Sequence, residues 1–248
     1  MKFRDVAIAY GLREEKLTHI SQVNRGLACN CLCPKCHVRL IARKGPKKAD
    51  HFAHIPGQQC DNPAESVLHL MAKQIICESD YIVIPPYRFV RERKMRNGNV
   101  VRINKKLAAG GKTKISKVET EVSRKKIRSD IEILSRGKRL IIEIAVTSRA
   151  TKNKKARVKR NNLPAIEIRL EQYDAMLSRE QLAQKVLDNT DNKTCLFHPN
   201  EIAARKEFSE LYQSQEKIKL TPRSDYNAKL KWAHEAGLVD EYFKKKSR

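Results

Sequence analysis

Residues 128–147 read RSDIEILSRGKRLIIEIAVT. Apolar and polar residues alternate on both sides of a central turn-like run, and this pattern predicts a β-hairpin. With Arg136-Gly137 as a two-residue loop, the register places Asp130 directly opposite Glu143. A three-residue loop would shift the register by one residue and separate the two acids. The hairpin and its turn therefore decide what this part of the chain does.

Two opposed acids in one hairpin predict a cation site. Directly opposed side chains have Cβ atoms about 5 Å apart, and two buried carboxylates at that distance repel unless a cation lies between them. Glu143 lies in the most apolar stretch of the chain, and hard oxygen ligands favour Mg²⁺ or Mn²⁺. The alternative is that Asp130 and Glu143 face solvent and pair with Arg128 or Arg139. Glu132, on the same face as Asp130, is a weaker ligand candidate.

A helix is predicted over residues 62–78, because an Asn-Pro pair suits a helix cap and first turn. Glu65, His69 and Lys73 follow one another at four-residue intervals, so they lie along one edge of that helix. An acid, an imidazole and an ammonium group on one edge suit a metal and phosphate site. The alternative is that Glu65 completes a capping box and that the other two residues form a solvated stripe.

A cluster of cysteines and histidines precedes this helix. A Cys-x-x-Cys motif places two thiolates on one tight turn, and a second pair of ligands would close a tetrahedral structural Zn²⁺ site. We expect Cys33 and Cys36 together with two of His51, His54 and Cys60. Cys31 is a further candidate. Seven cysteines without a secretory leader argue against a disulfide framework; the alternative to zinc is a set of buried, reduced thiols.

The composition favours a nucleic acid as partner. The 248 residues include 52 Lys and Arg against 28 Asp and Glu, a formal net charge of +24. The basic segments 91–117 and 149–160 are predicted to contact DNA phosphates rather than bases; the alternative is a solvated charged face. Only 6% of residues are aromatic, which disfavours an RNA-binding protein. Without a long apolar run or a signal peptide, we expect a cytoplasmic protein that does not enter a membrane.

The pattern along the chain predicts an α+β or α/β fold in three segments. These are a zinc-binding module over residues 1–61, a core over residues 62–172 and a helical basic extension over residues 173–248. The predicted strands lie at residues 38–42, 81–84, 100–103, 118–122, 127–134, 139–147 and 164–170. A basic helix is predicted at residues 151–160, flexible basic loops in the rest of residues 91–117, and an interruption of the C-terminal helices at residues 190–200.

As an ordered set, these pieces resemble the PD-(D/E)xK nuclease superfamily, and their combination is similar to its CoiA-like competence-protein branch. The resemblance spans residues 26–170 and implies a restriction-endonuclease-like core, a mixed sheet flanked by helices, joined to a zinc element. The matching pieces are Cys33–Cys36, His51–His54, Glu65, His69, Lys73, Arg128–Ile131, Ile142–Thr147, Lys154 and Ile166–Ile168.

The resemblance implies a metal-dependent deoxyribonuclease that processes or restricts foreign DNA. Asp130 and Glu143 would hold Mg²⁺ or Mn²⁺ with help from the Ile144 carbonyl, and Glu65 would support the cation or its water from the helix. The cation polarises the phosphate, and a lysine steadies the developing charge. The zinc ion of the N-terminal module would be structural.

Two departures from the family pattern leave a second function open. Ala145 stands where a lysine is usual, so Lys154 or Lys73 would have to supply the charge, and Ser148 stands where the branch often has histidine. The alternative function is a non-catalytic, zinc-containing module that binds DNA or a protein partner on a degenerate nuclease core. The sequence also leaves open a homodimer.

Overall fold

The computed structural model describes residues 7–58, 60, 63–96, 98–124, 126–147 and 150–217. The predictions made for Asn62, Ser148, Arg149 and residues 218–248 lie outside these ranges. The described chain divides into two compact units, the first within residues 7–87 and 107–199, the second within residues 88–106 and 200–217. The first unit contains residues of both the predicted zinc module and the predicted core. The three predicted segments stay a prediction.

The described elements form an α/β chain. In order, they are β1 (Tyr10–Arg13), β2 (Lys16–His19), β3 (Leu40–Gly45), β4 (Lys48–His54), α1 (Pro63–Glu78), β5 (Tyr81–Ile84), β6 (Tyr87–Lys94), β7 (Val100–Ala108), β8 (Gly111–Lys114), β9 (Lys117–Arg124), β10 (Ile127–Ser135), β11 (Lys138–Ala145), α2 (Lys152–Arg160), β12 (Ala165–Arg169), α3 (Arg179–Leu187), β13 (Lys193–Phe197) and α4 (Asn200–Lys217). Three short 3₁₀ helices connect them at Ile20–Gln22, Leu27–Cys29 and Gln172–Met176.

A five-stranded mixed sheet, in the order β13-β12-β11-β10-β9, forms the centre of the first unit. Strands β9, β10 and β11 run antiparallel, β11 and β12 run parallel, and β13 pairs antiparallel with β12. Helix α2 connects the two parallel strands, since such a pair needs a crossover rather than a tight turn. The mixed sheet expected from the sequence is therefore present.

The β10–β11 hairpin has the predicted register. Its pairs run from Ser135 opposite Lys138 to Ile131 opposite Ile142. The two loop residues, Arg136-Gly137, both have positive φ, 48° and 74°, as a type I′ turn requires. The observed pairs end there, one step short of Asp130 and Glu143, but the two acids are close enough for Asp130 to raise the pKa of Glu143.

Helices α1 and α2 cover opposite faces of this sheet. Ile142 packs in the buried cluster that contains Val67 and Leu68 of α1. Its neighbour Ile141 packs instead with Val158 of α2. Because adjacent strand residues point to opposite faces, the two clusters are the two sides of the sheet. The four- and three-residue spacing of apolar positions in α1 explains why one stripe of that helix is buried.

The N-terminal residues form two small hairpins, β1–β2 and β3–β4. The strand predicted at residues 38–42 begins instead at Leu40 and pairs with β4, which was not predicted. Just before β1, Ile8 forms a single antiparallel bridge to Phe52 of β4, and Leu12 of β1 forms another to Leu32. These contacts hold the residues of the cysteine and histidine cluster on short strands and tight turns.

The C-terminal helices are interrupted at residues 190–200 as predicted, but the interruption contains an unpredicted edge strand, β13, with Phe197 buried against β12. One prediction of irregular structure was wrong. The flexible basic loops expected within residues 91–117 are ordered strands: β6 pairs with β7, and β8 pairs with β5. Such strands are rich in exposed lysine and arginine, so they lack the alternation of apolar residues that predicts a strand.

In the second unit, the β6–β7 hairpin and α4 share a small core of Met95, Val101, Phe208 and Tyr212. Across the described residues of both units, no helix is both long and apolar enough to cross a membrane.

Candidate metal centres

Four of the predicted zinc ligands come together in the first unit. The Sγ atoms of Cys33, Cys36 and Cys60 and a ring nitrogen of His54 all lie within 4.8 Å of one another. The Cys33 and Cys60 sulfurs are 4.0 Å apart, and the Cys36 sulfur lies 3.3 Å from His54 Nε2. Within the described residues, this is the only group of three or more such ligand atoms so close together. Three thiolates and one imidazole are a common structural Zn²⁺ set.

The tight turn and the end of β4 explain how the cluster forms. The backbone N–H of His37 donates to the Cys33 carbonyl at 2.9 Å, and the N–H of Lys35 lies 3.4 Å from Cys33 Sγ. This closed turn brings the two cysteines of the motif to one side. His54 is the last residue of β4 and faces them.

His51 lies outside the cluster. It precedes His54 by three residues on the same strand, so the two side chains point to opposite faces, and His51 Nδ1 lies 2.8 Å from the Ala49 oxygen. Cys31 is also outside, because its thiol donates to the Cys29 carbonyl at 3.3 Å. Of the open alternatives, the structure therefore selects His54 and Cys60.

Burial shifts the ionisation of the cluster residues. Burial raises the pKa of Cys33, and it raises that of Cys60 to about 12. Burial lowers the pKa of His54, which keeps its imidazole in the neutral form that binds metals. Thiols in such a site lose their protons when zinc binds, because the cation favours the thiolate.

The two acids of the hairpin are held at the edge between β10 and β11. Asp130 Oδ2 accepts a hydrogen bond of 2.8 Å from the backbone N–H of Ile144, which fixes that carboxylate across the strand pair. Glu143 is 5% exposed, and its Oε2 forms an ion pair with Lys154. Its other oxygen, Oε1, is buried and has no hydrogen-bond partner among the described residues. An acceptor left without a donor in this position fits a cation.

The buried position of Glu143 perturbs its ionisation. Burial raises the pKa of Glu143 to about 7; the ion pair with Lys154 lowers it and the neighbouring Asp130 raises it. The carboxylate is thus poorly solvated, and one lysine compensates for only part of that loss. A divalent cation between Glu143 and Asp130 would remove the repulsion between them.

Glu65 and His69 lie side by side on one edge of helix α1, as expected from their spacing, and His69 lies beside Asp130 of the hairpin. His69 Nδ1 lies 3.9 Å from Asp130 Oδ2, and His69 Nε2 lies 4.0 Å from Glu65 Oε1. The hydroxyl of Thr147, two residues beyond β11, donates to Glu65 Oε2 at 3.0 Å. Burial lowers the pKa of His69, so the imidazole is neutral near pH 7.

The two candidate lysines take different positions. Lys154 reaches Glu143 from the first turn of α2, whose N-cap Thr151 accepts a hydrogen bond from the Lys154 backbone N–H. Lys73 instead pairs with Glu121 of β9, which also binds Arg128. Of the two candidate lysines, the structure therefore brings Lys154 and not Lys73 to the hairpin acids. That either lysine acts in catalysis stays a prediction.

The solvent-face alternative for the hairpin does not match the geometry. Arg128 pairs with Glu121 rather than with Asp130. Glu132, the weaker ligand candidate, lies 3.6 Å from Arg124 and accepts a hydrogen bond of 3.2 Å from Ser129. The carboxylate of Glu132 is thus compensated by residues other than Asp130 and Glu143.

One acid of this region was not predicted as a site residue. Glu167 is buried on β12, directly beside Glu143 in the parallel register, and accepts a hydrogen bond of 2.6 Å from the backbone N–H of Ala150. This bond ties the residues before α2 to β12. The signal in the sequence was an acid enclosed by two isoleucines, Ile166 and Ile168.

The fold and both centres define an α/β protein with a Cys/His cluster that could bind zinc and an acidic site on its mixed sheet. Residues 12–63 match the family model described as competence protein CoiA, N-terminal domain. The match runs from β1 to the start of α1 and contains all four residues of the cluster. No curated protein and no solved structure matches the chain.

Proposed function

We propose that the chain is a divalent-metal-dependent deoxyribonuclease with a structural zinc ion, acting on foreign DNA in a competence-related process in the cytoplasm. The observation that carries the proposal is the buried Oε1 of Glu143, which has no donor among the described residues while Asp130 lies beside it. The match of residues 12–63 to the CoiA N-terminal domain supports the competence setting. The mixed sheet with helices on both faces supports the nuclease core.

The side chains at the sheet edge have distinct roles in this proposal. Asp130 and Glu143 bind Mg²⁺ or Mn²⁺, and the Ile144 N–H keeps Asp130 in place. When bound there, such a cation polarises the scissile phosphate and lowers the pKa of a water molecule. Neutral His69 accepts a proton at Nε2, next to Glu65.

In this proposal, Lys154 supplies the positive charge of the lysine that the family usually has at the position of Ala145. It is bound to Glu143 in the structure, and its side chain is about one quarter exposed, 27%. With a divalent cation held by Asp130 and Glu143, the ammonium group of Lys154 would be free to approach a phosphate oxygen. Helix α2 also carries further lysines and arginines that suit the adjoining phosphates.

A second function is favoured by one observation. With Ala145 at the position of the usual lysine, the Lys154–Glu143 pair closes part of the site. A chain in which this pair never opens would be a zinc-containing DNA-binding or partner-binding module without catalysis.

Cleavage of DNA by site variants distinguishes the two functions. We expect the purified chain to cut DNA with Mg²⁺ or Mn²⁺, and Asp130→Asn or Glu143→Gln to lower the rate at least about 100-fold. Glu132→Gln is the matched control, because this buried acid of the same hairpin is bound to Arg124 and Ser129. Circular dichroism and zinc content establish that each variant is folded.

Two results would reject the nuclease assignment. Wild-type cleavage rates in both Asp130→Asn and Glu143→Gln would show that these acids do not hold the cation. DNA binding without cleavage under either divalent ion would instead support the non-catalytic module.

A further inference from the structure

The second unit carries a ladder of arginine side chains stacked on aromatic rings. Each ring is buried and each guanidinium group lies over its face, in a row between β6 and α4. The distances from the guanidinium carbon Cζ to the ring centroid are 5.4 Å for Arg91 over Phe208, 4.3 Å for Arg93 over Tyr212 and 5.3 Å for Arg205 over Phe89.

The ladder forms because side chains repeat at regular intervals on one face of β6 and on one face of α4. Residues 89, 91 and 93 alternate along β6, so they share one face of the strand. Residues 205, 208 and 212 are three and four positions apart on α4, so they share one face of the helix. The two faces meet as three successive pairs, which makes the stacked arginines a built feature of this unit.

The cation–π contact with a ring restrains each arginine without using its hydrogen-bond donors. A guanidinium group stacks through its planar face and keeps its N–H groups around the edge. Arg205 is bound to Glu201. Arg91 and Arg93 are exposed, and no carboxylate among the described residues lies within ion-pair distance of either. Two rigid cations are therefore available for an anionic ligand.

The surroundings are basic and polar. A cavity of about 460 Å³ adjoins the ladder, and its other lining residues are Ser209, Gln213 and Glu216. Two glutamates of this unit have partners: Glu92 lies 3.9 Å from Arg102, and Glu216 accepts a hydrogen bond of 3.0 Å from Tyr212. The aromatic faces are covered by arginine, so they cannot stack on bases.

We propose that Arg91 and Arg93 bind successive phosphates of a DNA strand, as a second, metal-independent DNA surface. Alternate residues of a strand are about 6.7 Å apart, which is comparable to the step between neighbouring phosphates. Arginines held rigid by stacking lose little conformational entropy on binding, and their planar edges suit phosphate oxygens. The choice of DNA rests on the proposed function; the binding itself needs neither the acidic site nor a cation.

Fluorescence anisotropy of the full chain with labelled duplex and single-stranded DNA, without added divalent ions, tests this surface. We expect Arg91→Gln with Arg93→Gln to weaken binding at least about tenfold and to reduce the slope of log affinity against log salt by about 1.8 on duplex DNA. The matched control is Arg88→Gln with Lys94→Gln, the same loss of charge on the other face of β6. The control is expected to bind more tightly than the ladder variant.

The proposal is overturned if the ladder variant and the control bind DNA with the same affinity and salt slope. The single variant Arg93→Gln leaves two stacked pairs intact and gives the same test with about half the slope change. If the wild type never cuts DNA but the ladder variant still loses affinity, the nuclease proposal fails and this surface stands. If the wild type cuts DNA and the ladder variant binds DNA as the wild type does, the nuclease proposal stands and the second DNA surface is rejected.

Discussion

The Cys/His cluster and the acidic site of the first unit differ in how closely their ligand atoms lie together and in what balances their charge. In the cluster, four soft ligand atoms already lie within 4.8 Å of one another, a closed arrangement with no position left for a substrate. In the acidic site, the ligand atoms are more widely spaced, and a lysine is bound to Glu143 where a cation would lie. The first arrangement suits a permanently bound structural ion, and under the proposed function the second would bind a cation that exchanges.

The largest expected effect is on the cluster. His54→Ala removes a ligand of a structural metal site, so we expect the loss of bound zinc and a fall of more than about 4 kcal/mol in the free energy of unfolding. His51→Ala is the matched control from the same strand, outside the cluster, and should change neither zinc content nor stability by much. Zinc analysis and denaturant unfolding measure both; equal effects of the two variants would contradict the assignment.

The next effect separates the two lysines. Lys154→Gln removes the ammonium group beside Glu143, so we expect DNA cleavage to slow about 100-fold. Lys73→Gln removes a charge that pairs with Glu121 instead, and its cleavage rate should remain within a few-fold of the wild type. Initial rates at saturating DNA and Mg²⁺ make the comparison. A larger loss of cleavage rate in Lys73→Gln than in Lys154→Gln would show that Lys73 acts at the site instead.

Binding of Mg²⁺ at the acidic site should also change the free energy of unfolding. Mg²⁺ at 100 times its dissociation constant should raise the free energy of unfolding by about 2.7 kcal/mol, because it binds only the folded chain. Glu143→Gln should abolish this increase while leaving the Mg²⁺-free protein at least as stable, because burial of the Glu143 charge outweighs its ion pair with Lys154, whose partly exposed ammonium group water can solvate. A strong loss of stability in Mg²⁺-free Glu143→Gln would mean that the acid is structural.

A last effect concerns a buried charge that belongs to neither centre. Burial lowers the pKa of Lys193 to about 8, although its ammonium group donates to the Val83 and Leu187 carbonyls. Between pH 8 and 10.5 the unfolded chain binds this proton and the folded chain does not, so stability rises with pH. Relative to Lys193→Met, the wild type should gain stability over that window in thermal melts. A difference in stability between the two proteins that stays constant over this pH range would contradict the lowered pKa of Lys193.

Features with local signals were predictable from the sequence. The Arg136-Gly137 loop fixed the hairpin register because a type I′ turn needs two residues with positive φ. The spacing of Glu65 and His69 placed both on one edge of α1, since a helix repeats every 3.6 residues. These two local rules were enough to bring the acids and the imidazole into one region.

Features that depend on tertiary pairing were not predictable. The choice between His51 and His54 required knowing that β4 is a strand, which its polar composition does not indicate. The pairing of Lys73 with Glu121 depends on where β9 lies beside α1. Strand β13 and the role of Glu167 likewise depend on pairing with β12. Such contacts join distant parts of the chain and leave little local pattern.

The most direct measurement is anomalous diffraction from crystals of the chain soaked in Mn²⁺, recorded at the manganese and zinc edges. We expect a manganese peak between Asp130 and Glu143 with Lys154 withdrawn from Glu143, and a zinc peak among Cys33, Cys36, His54 and Cys60. Saturating Mn²⁺ with no peak at the hairpin, and Lys154 still bound to Glu143, would contradict the account.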